Sequence, residues 1–252
     1  MIKLFRNTRK NLLAEGKTTK YLKYAIGEII LVVIGILIAL SINNWNQNRK
    51  EAIEEKAILK TLLQNLNAAK KQSEALISEE ETLKISLIRL LGIDANPSKK
   101  NDTIIPDSIF KTTVWDLQSD QPTFNAYNNL KNTNKLSLIK SKKINEKFTD
   151  LEFYLNRLND VLEDRLSVHQ IRVDNILEND INFIPLVKSS VPTINIEYEP
   201  QNNYNQLLKV KRIRNLLGMK LDFTQDAIDH RINLDKEIKD LITLIELELN
   251  KK

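Results

Sequence analysis

The hydrophobic positions of this chain form one continuous run near the N-terminus and several helical repeats after it. The run extends from Tyr24 to Asn44 and contains Glu28 as its only charged residue. The hydrocarbon core of a bilayer is about 30 Å thick, and about 20 apolar helical residues cross it. The run therefore predicts a transmembrane helix over residues 24–44.

Aromatic residues at both ends of the run fit this prediction. Rings such as those of Tyr24 and Trp45 prefer the headgroup level of a bilayer, so we interpret both residues as membrane anchors. A cleaved signal peptide is the alternative, because Ala39-Leu40-Ser41 loosely resembles a cleavage site. Both the segment before the run and the run itself are longer than is usual in signal peptides. We therefore favour a retained anchor.

Charged residues before the span predict its orientation. Residues 1–23 contain seven basic residues and one acidic residue. Positively charged flanks stay on the cytoplasmic side of a membrane. We therefore expect residues 1–23 to be a basic cytoplasmic tail and residues 45–252 to be an extracytoplasmic domain. The absence of cysteine agrees with this placement.

The tail also accounts for the net charge of +5 and the isoelectric point near 9.1. Outside the tail, 31 basic residues are balanced by 32 acidic residues. No basic surplus is left for a phosphate backbone, so we expect no nucleic-acid partner.

Within the tail, apolar residues between Ile2 and Leu13 fit an interfacial helix that ends near Gly16. A disordered tail is the alternative.

One face of the predicted span combines an ionisable residue with small residues. At 100° per residue, Gly35 and Ala39 lie within about 20° of Glu28 around the helix. Small residues four apart let membrane helices approach closely, and an ionisable group in hydrocarbon favours a partner. This stripe predicts helix association. In the alternative interpretation, the Glu28 carboxylate reaches back to the cytoplasmic headgroups.

The segment KYAIGEIILVVIGILIALSINNWN resembles the N-terminal signature of a family of single-pass bacterial membrane proteins of unknown function. The resemblance is strong over residues 20–50. It is looser over a block that contains Phe124, Ala126, Tyr127, Leu130, Leu136, Leu138 and Ile139. Relatives often have a Ser-Gly turn in that block, where this chain has Asn132-Thr133-Asn134. The resemblance implies a bacterial inner-membrane anchor followed by a helical periplasmic domain, and no catalytic residues.

Beyond the span, apolar residues at heptad spacing predict a long first helix. One heptad position holds Leu62, Ala69, Leu76, Leu83 and Leu90, and the interleaved position holds Leu59, Leu66 and Leu87. Ser73 and Glu80 interrupt the interleaved position. Packing into a bundle is therefore favoured over a self-sufficient coiled coil. Gly92 and Pro97 predict the end of this helix.

Spacings of three and four predict further helices. After a polar segment at 95–121, we expect a helical turn at 109–117, a short helix opened by Pro122, a helix from Ser141 to about Asp180, and a final helix or helix pair at 207–249 with Gly218 as its only break. Prolines exclude a continuous helix in the connection 181–203, where the alternation in 193–198 admits a short strand. The predicted fold class is all-α, with one transmembrane helix followed by an extracytoplasmic helical bundle.

Catalytic and cofactor signatures are scarce in this sequence. It contains five glycines without a phosphate-binding loop, no cysteine and two histidines. We therefore expect no nucleotide, thiol or zinc chemistry and no cofactor. Asp226 and His230, one helical turn apart, resemble a metal-ligand pair only weakly, because such pairs are ordinary surface contacts.

Candidate partner-binding residues lie in the loops and in one basic run. Trp115 and Tyr198 fall in irregular segments, and Lys211, Arg212 and Arg214 belong to the densest basic run beyond the span. We expect a protein-interaction or scaffold module that contacts a protein partner or a second copy of the chain. A sensor or ligand-binding module is the alternative, and an enzyme is the third hypothesis.

Overall fold

A computed structural model of the chain describes residues 18–95 and 104–251. The chain divides into two compact units, Met1–Ala57 and Ile58–Lys252. Within the described ranges, regular secondary structure is helical and contains no β-strand. The predicted all-helical class is therefore confirmed.

The described ranges contain eight α-helices, which we number in chain order. They are α1 (Thr18–Leu91), α2 (Asp107–Phe110), α3 (Asn125–Asn132), α4 (Lys142–Val168), α5 (Asp174–Asn179), α6 (Ile184–Val187), α7 (Tyr204–Leu207) and α8 (Lys211–Leu249). A π-helical turn at Lys111–Trp115 follows α2, and a second one at His169–Val173 joins α4 to α5. A 3₁₀ helix at Lys135–Leu138 precedes α4.

The first unit contains the N-terminal part of α1 and its apolar run. The most apolar 18-residue window of this helix has a mean hydropathy of 2.8, and none of it is buried. The structure therefore confirms one helix near the N-terminus that is long and apolar enough to cross a membrane. The predicted tail helix up to Gly16 lies outside the described residues, and so does the side chain of Tyr24.

The end of α1 follows the prediction from Gly92. This glycine has a φ of +65°, a left-handed conformation that side chains with a Cβ adopt at a cost. Its N–H donates to the Arg89 carbonyl at 3.1 Å, and the Ile93 N–H donates to the Ile88 carbonyl at 3.2 Å. This hydrogen-bond pair is a Schellman motif, which satisfies carbonyls that the helix end leaves open.

In the second unit, buried side chains form two apolar cores. The first core joins α1 between Ile58 and Ala69 to α4 between Ile144 and Leu162 and to α8 between Ala227 and Ile245. The second core joins Leu91 to α5 and to the start of α8, and it includes Phe110, Val114, Leu186 and Tyr204. Along both α1 and α4, the residues of the first core come before those of the second, so the two helices run in the same direction. Along α8 the order of the two cores is reversed, so this helix runs in the opposite direction.

Three predictions about the second unit need correction. The connection 193–198 consists of turns and irregular backbone, so the short strand is absent there. Gly218 does not interrupt α8, and an added Cβ would meet nothing within 4 Å. The helix expected to open at Pro122 begins at Asn125. Ser141 does occupy the N-cap position of α4, but its side chain makes no capping hydrogen bond.

Candidate functional site: a buried charged layer

Polar residues of α1 occupy core-facing positions, and the most important of them is Glu80. The interleaved heptad position of the sequence prediction is buried at every repeat from Leu59 to Leu87, including Ser73 and Glu80. The Glu80 side chain is 0% exposed. The polar residues at this position do not face solvent, because α1 continues its buried stripe through them. A buried carboxylate of this kind requires partners.

Two arginines from different helices provide these partners. Arg165 of α4 binds Glu80 through both ends of its guanidinium, with distances of 2.8 Å from Nη1 to Oε2 and 2.9 Å from Nη2 to Oε1. Arg231 of α8 donates from Nε to Glu80 Oε1 at 3.4 Å. Each arginine is 2% exposed. One carboxylate therefore connects α1, α4 and α8.

The same cations also hold, through backbone carbonyls, the end of the π-helical turn Lys111–Trp115 and the irregular residues that follow it. We name residues 114–120 the strap. Arg165 donates to the Gln118 carbonyl, and Arg231 donates to the Asp120 carbonyl at 2.9 Å. Lys220 donates from Nζ to the Val114 carbonyl at 2.6 Å and to the Asp116 carbonyl at 3.1 Å. Buried cations thus satisfy carbonyls that the end of a helical turn and the irregular backbone after it leave unpaired.

We name Glu80, Arg165, Lys220 and Arg231 the charged layer, because they lie where the two apolar cores meet. Glu80 comes between the α1 residues of the first core and those of the second. Arg165 occupies the same boundary on α4. On α8, Lys220 and Arg231 lie on either side of the boundary between Leu221 of the second core and Ala227 of the first. On each of these helices, charged residues therefore lie near the boundary between the residues of one core and those of the other.

Both π-helical turns adjoin this layer. The first contains Val114, whose carbonyl accepts from Lys220, and it ends at Trp115. The second begins at His169, whose ring centroid is 5.8 Å from that of Trp115. The Trp115 ring also packs at 5.2 Å from Phe183. π-Helical turns are rare and occur often at functional sites. Two of them lie close together here, which makes this part of the second unit a candidate functional site.

Burial and nearby positive charge shift the titration of the layer. Burial lowers the pKa of Lys220 to about 7, and the charge of Arg165 adds to this effect. Burial also lowers the pKa of His169 to about 4, with further contributions from Lys220 and Arg165. The pKa of Arg231 is lowered by burial and raised in part by Glu80. The fold therefore favours the neutral forms of Lys220 and His169.

In residues 18–95 and 104–251, no three His, Cys, Asp or Glu side chains form a group that could hold a metal ion. The cations donate hydrogen bonds to Glu80 and to strap carbonyls, while Arg165 Nε and Arg231 Nη2 are buried without a hydrogen-bond partner. The arrangement can fix the register of three helices and respond to a change of charge.

The residues predicted to mediate membrane association lie on α1 in the first unit. Glu28 is half-buried, whereas Gly35 and Ala39 are exposed. Trp45 is 65% exposed, and the Arg49 guanidinium lies 6.0 Å from the centre of its ring. These positions suit contact with lipid or with another helix.

Of the two aromatic partner candidates, Tyr198 is exposed and Trp115 is packed. The Tyr198 side chain is 91% exposed, at the surface of the connection 181–203. Asn202 accepts from the Asn182 N–H at 2.8 Å, and its amide donates to the Asn182 carbonyl at 2.8 Å. Asn202 also donates to the Tyr204 hydroxyl at 2.9 Å. These bonds give the connection a defined conformation.

The basic run is partly occupied by internal contacts. Arg212 forms an ion pair with Asp180, and Arg214 donates to the Leu208 carbonyl at 3.4 Å. Lys211 is exposed at the start of α8.

A shallow pocket of about 150 Å³ lies between α3 and α4, lined in part by Tyr127, Lys131 and Glu152. Ligand pockets are usually at least twice as large, roughly 300 Å³ or more.

Most of α1 matches a known protein family. Residues 28–94 match the model of a family of unknown function, DUF6090. The DUF6090 match begins at Glu28, includes Glu80 and ends just after Gly92. It does not reach the looser block around Tyr127. No curated protein matches the chain, and no solved structure matches it.

Sequence reasoning missed three members of the charged layer. Arg165, Lys220 and Arg231 lie on helices that were expected, but each resembles an ordinary exposed charge in the sequence. The one available signal was the pair of polar residues, Ser73 and Glu80, at an apolar heptad position. The sequence analysis interprets these residues as interruptions of a coiled coil. In the structure, one of them, Glu80, is where buried cations bind α1.

Proposed function

We propose that this chain is a single-pass membrane protein whose helical unit binds another protein and performs no chemistry itself. The observation that carries the anchor is the apolar window of α1, none of which is buried. Its isoleucines and leucines expose about half or more of their surface, for example 64% at Ile29 and 57% at Leu37. Soluble proteins rarely expose so large an apolar surface, and lipid would cover it.

The orientation in this proposal follows from charge. The seven basic residues before the span favour a cytoplasmic N-terminus, which places residues 45–252 outside the cytoplasm. For a bacterium, the membrane is the inner membrane and the helical unit is periplasmic. Glu28, Gly35 and Ala39 would then lie within the bilayer, where they could support association with a second copy.

Protein binding is supported by the connection 181–203. Tyr198 is 91% exposed on a segment that the Asn182–Asn202 hydrogen bonds fix. Exposed tyrosines are frequent anchors of interfaces, and a fixed conformation reduces the entropy lost on binding. Lys211 and Arg212 could add charged contacts elsewhere on the unit.

Topology is tested first, with single cysteines in the otherwise cysteine-free chain. Gln201→Cys reports on the helical unit, and Thr8→Cys reports on the tail. A membrane-impermeant maleimide on intact cells should label the full-length Gln201→Cys chain, while Thr8→Cys should react only after lysis. The reverse labelling pattern would overturn the orientation, and a shortened labelled chain would overturn the anchor.

Protein binding is tested by photo-crosslinking in cells. A photoreactive residue at Tyr198 or at the exposed neighbour Glu197 should give one discrete adduct with the same protein. The same residue at Lys71, an exposed position on α1, is the matched control and should give none. Adducts of equal strength from all three positions, or from none, would contradict the proposal.

A ligand-responsive sensor is the second candidate, and the charged layer favours it. Glu80 belongs to the helix that contains the candidate span, and its two arginines hold the strap. A change in α1 could therefore reach the strap through this carboxylate. In this case, hydrogen exchange of the strap amides in cells or membranes should change when a stimulus is applied, and constant exchange would exclude the sensor.

A further inference from the structure

The charged layer contains more cationic groups than carboxylates. Glu80 forms ion pairs with both guanidinium groups, at 2.8 Å from Arg165 Nη1 and at 3.4 Å from Arg231 Nη2. Lys220 differs from the arginines, because its side chain donates to two backbone carbonyls of the strap. The layer therefore holds three buried cationic side chains around one carboxylate that is already shared.

The groups that face Lys220 oppose each other. Burial and the charge of Arg165 disfavour its protonated form and lower its pKa to about 7, whereas Asp116 of the strap and Glu80 of α1 act in the opposite direction. The Asp116 side chain is 48% exposed and lies 3.7 Å from the Lys111 ammonium, so water and a second cation weaken its effect. The proton on Lys220 is therefore poorly compensated.

The strap covers this lysine. Lys220 is 4% exposed, and its Nζ lies 2.6 Å from the Val114 carbonyl and 3.1 Å from the Asp116 carbonyl. Because these carbonyls belong to the strap, separation of the strap from the layer removes both contacts and opens the amine to water. A lysine in water has an ordinary pKa near 10.4 and is charged at neutral pH. Release of the strap therefore favours the protonated form.

We propose that the strap is a pH-responsive latch, which closes on the charged layer as Lys220 loses its proton and releases as Lys220 gains one. The inference concerns the second unit by itself and does not depend on the membrane anchor or on a protein partner.

The direction of the response follows from linkage. The pKa of Lys220 is about 7 in the closed unit and near 10.4 in water. Between these values, release of the strap takes up a proton, so closure strengthens by up to about tenfold per pH unit as pH rises. Below pH 7, Lys220 is protonated in both states, and its contribution to closure stays constant.

Contacts of the strap and of the π-helical turn before it lead to the connection 181–203. The Trp115 ring packs at 5.2 Å from that of Phe183. Lys111 donates from Nζ to the Ser190 hydroxyl at 3.1 Å. A strap that leaves the layer loosens these contacts, so the latch also affects the segment that carries Tyr198.

The test measures hydrogen exchange of the full chain in a non-ionic detergent at pH 7 and pH 9. The Asp116 N–H reports on the strap, because it donates to the Lys111 carbonyl at 3.0 Å. Dividing out the intrinsic exchange rate at each pH gives the opening constant. We expect this constant to fall at least about tenfold from pH 7 to pH 9.

This interval isolates Lys220 from the other base near the strap. His169 packs against Trp115, and burial lowers its pKa to about 4. The ordinary histidine pKa is near 6.5, so His169 is mainly neutral above pH 7 whether the strap is closed or released.

Substitutions assign the response to one side chain. Lys220→Met removes the titrating group, and Lys220→Arg keeps a donor that stays charged at both pH values. In each variant the opening constant should change less than about twofold between pH 7 and pH 9. The second variant keeps the test valid if Lys220→Met does not fold, which circular dichroism shows. Lys236→Met, at an exposed position of α8, is the matched control and should retain the full change.

A local latch also requires the strap to open more easily than the unit unfolds. The amides of α4 between Ile144 and Leu162 should therefore be better protected than the Asp116 amide at both pH values. Equal opening constants at the two sites would mean that the strap opens only with the whole unit, which overturns the latch. A wild-type constant that does not change with pH, or a change that persists in both Lys220 variants, also overturns it.

The consequence for partner binding rests on the proposed function. With a photoreactive residue at Glu197, the yield of the adduct in isolated membranes should be higher at pH 9 than at pH 7, and Lys220→Met should remove the difference. If exchange changes as expected but no adduct forms, the latch is supported and the proposed function is wrong. If adducts form with equal yield at both pH values while exchange changes, control of partner binding by the latch is wrong.

Discussion

At the scale of single residues, Glu80 has the largest set of consequences in the described part of the chain. Its carboxylate is the acceptor that Arg165 and Arg231 share, and all three side chains are almost fully buried. Burying charged groups costs several kcal/mol unless the charges are paired. The geometry of this cluster therefore determines whether it stabilises or destabilises the unit.

Replacing Glu80 with Gln should destabilise the second unit strongly. The change keeps the side-chain shape but leaves two buried guanidinium groups without a counter-charge, which costs about 3–5 kcal/mol. The free energy of unfolding, measured by denaturant titration of the detergent-solubilised chain, should fall by this amount. Glu81→Gln, at a partly exposed neighbour that pairs with Lys84, should change it by less than about 1 kcal/mol.

A compensated variant separates charge from shape in the same measurement. Glu80→Leu combined with Arg165→Met and Arg231→Met removes all three charges together. Apolar replacement of a whole buried ion-pair cluster is often neutral or stabilising. This variant should recover most of the stability that Glu80→Gln loses. A triple variant that is less stable than Glu80→Gln would show that the strap carbonyls, rather than the charges, dominate.

Lys220 should make the stability of the unit depend on pH. Its folded pKa is lowered to about 7 by burial, whereas an unfolded lysine has a pKa near 10.4. Between these values, the unfolded chain binds more protons than the folded chain, so stability rises with pH. The greatest slope for one proton is about 1.4 kcal/mol per pH unit. Below pH 7 both states are protonated, and this contribution is constant.

The measurement compares unfolding free energies at pH 7.5 and pH 9.5. The wild-type chain should gain stability over this interval, and Lys220→Met should lose most of the gain. Lys236→Met, at an exposed position of the same helix, should behave like the wild type. Tyr127 and Tyr204 have raised pKa values, so their contributions oppose the gain only at higher pH. Equal gains in both variants would refute the role of Lys220.

At the scale of elements, local patterns predicted most of the helices. The apolar run, the heptads up to Gly92 and the apolar spacing from Ser141 to Asp180 each reflect which face of one helix is buried. The charged layer depends instead on contacts between distant parts of the chain. Glu80 and Arg165 are 85 positions apart, and Glu80 and Arg231 are 151 positions apart. No pattern within one helix reveals such pairing, since it is set by the register between helices.

The predicted strand at 193–198 failed for a related reason. Alternation of apolar and polar residues favours a strand only where a second strand can pair with it. Here, local hydrogen bonds compete successfully: the Asn195 side chain accepts from the Glu197 N–H at 2.9 Å, and Lys188 donates to the Pro192 carbonyl at 2.9 Å. These hydrogen bonds hold the segment in turns, and the Asn195 contact is of the local kind that short polar side chains often make.

Two glycines in helical contexts should respond oppositely to the same substitution. Gly218 lies inside α8, where an added Cβ meets nothing within 4 Å, so Gly218→Ala should stabilise by about 1 kcal/mol. Gly92 has a φ of +65°, so Gly92→Ala should destabilise by roughly 1 kcal/mol although it also has open space. Thermal or denaturant unfolding of both variants measures the two signs. Two changes of the same sign would contradict the assigned backbone conformations.

At the scale of the whole molecule, the second unit consists of two cores joined by long helices and one charged layer. Helices α1, α4 and α8 leave the first core at the layer, and the second core is completed by shorter elements. The strap crosses this boundary and is held by the layer through its carbonyls. The layer therefore couples the opening of the second core to that of the first.

This coupling predicts how Glu80→Gln should change local opening. Hydrogen exchange of the wild-type unit should show the amides of α5 and of α4 between Ile144 and Leu162 opening at similar free energies. In Glu80→Gln, the arginines no longer hold α1 to the strap, and the second core has fewer buried residues than the first. Amides of α5 and the strap should then exchange at least tenfold faster while those of α4 change less. Uniform acceleration in both cores would mean that the unit opens as one body and that the layer contributes stability without separating the cores.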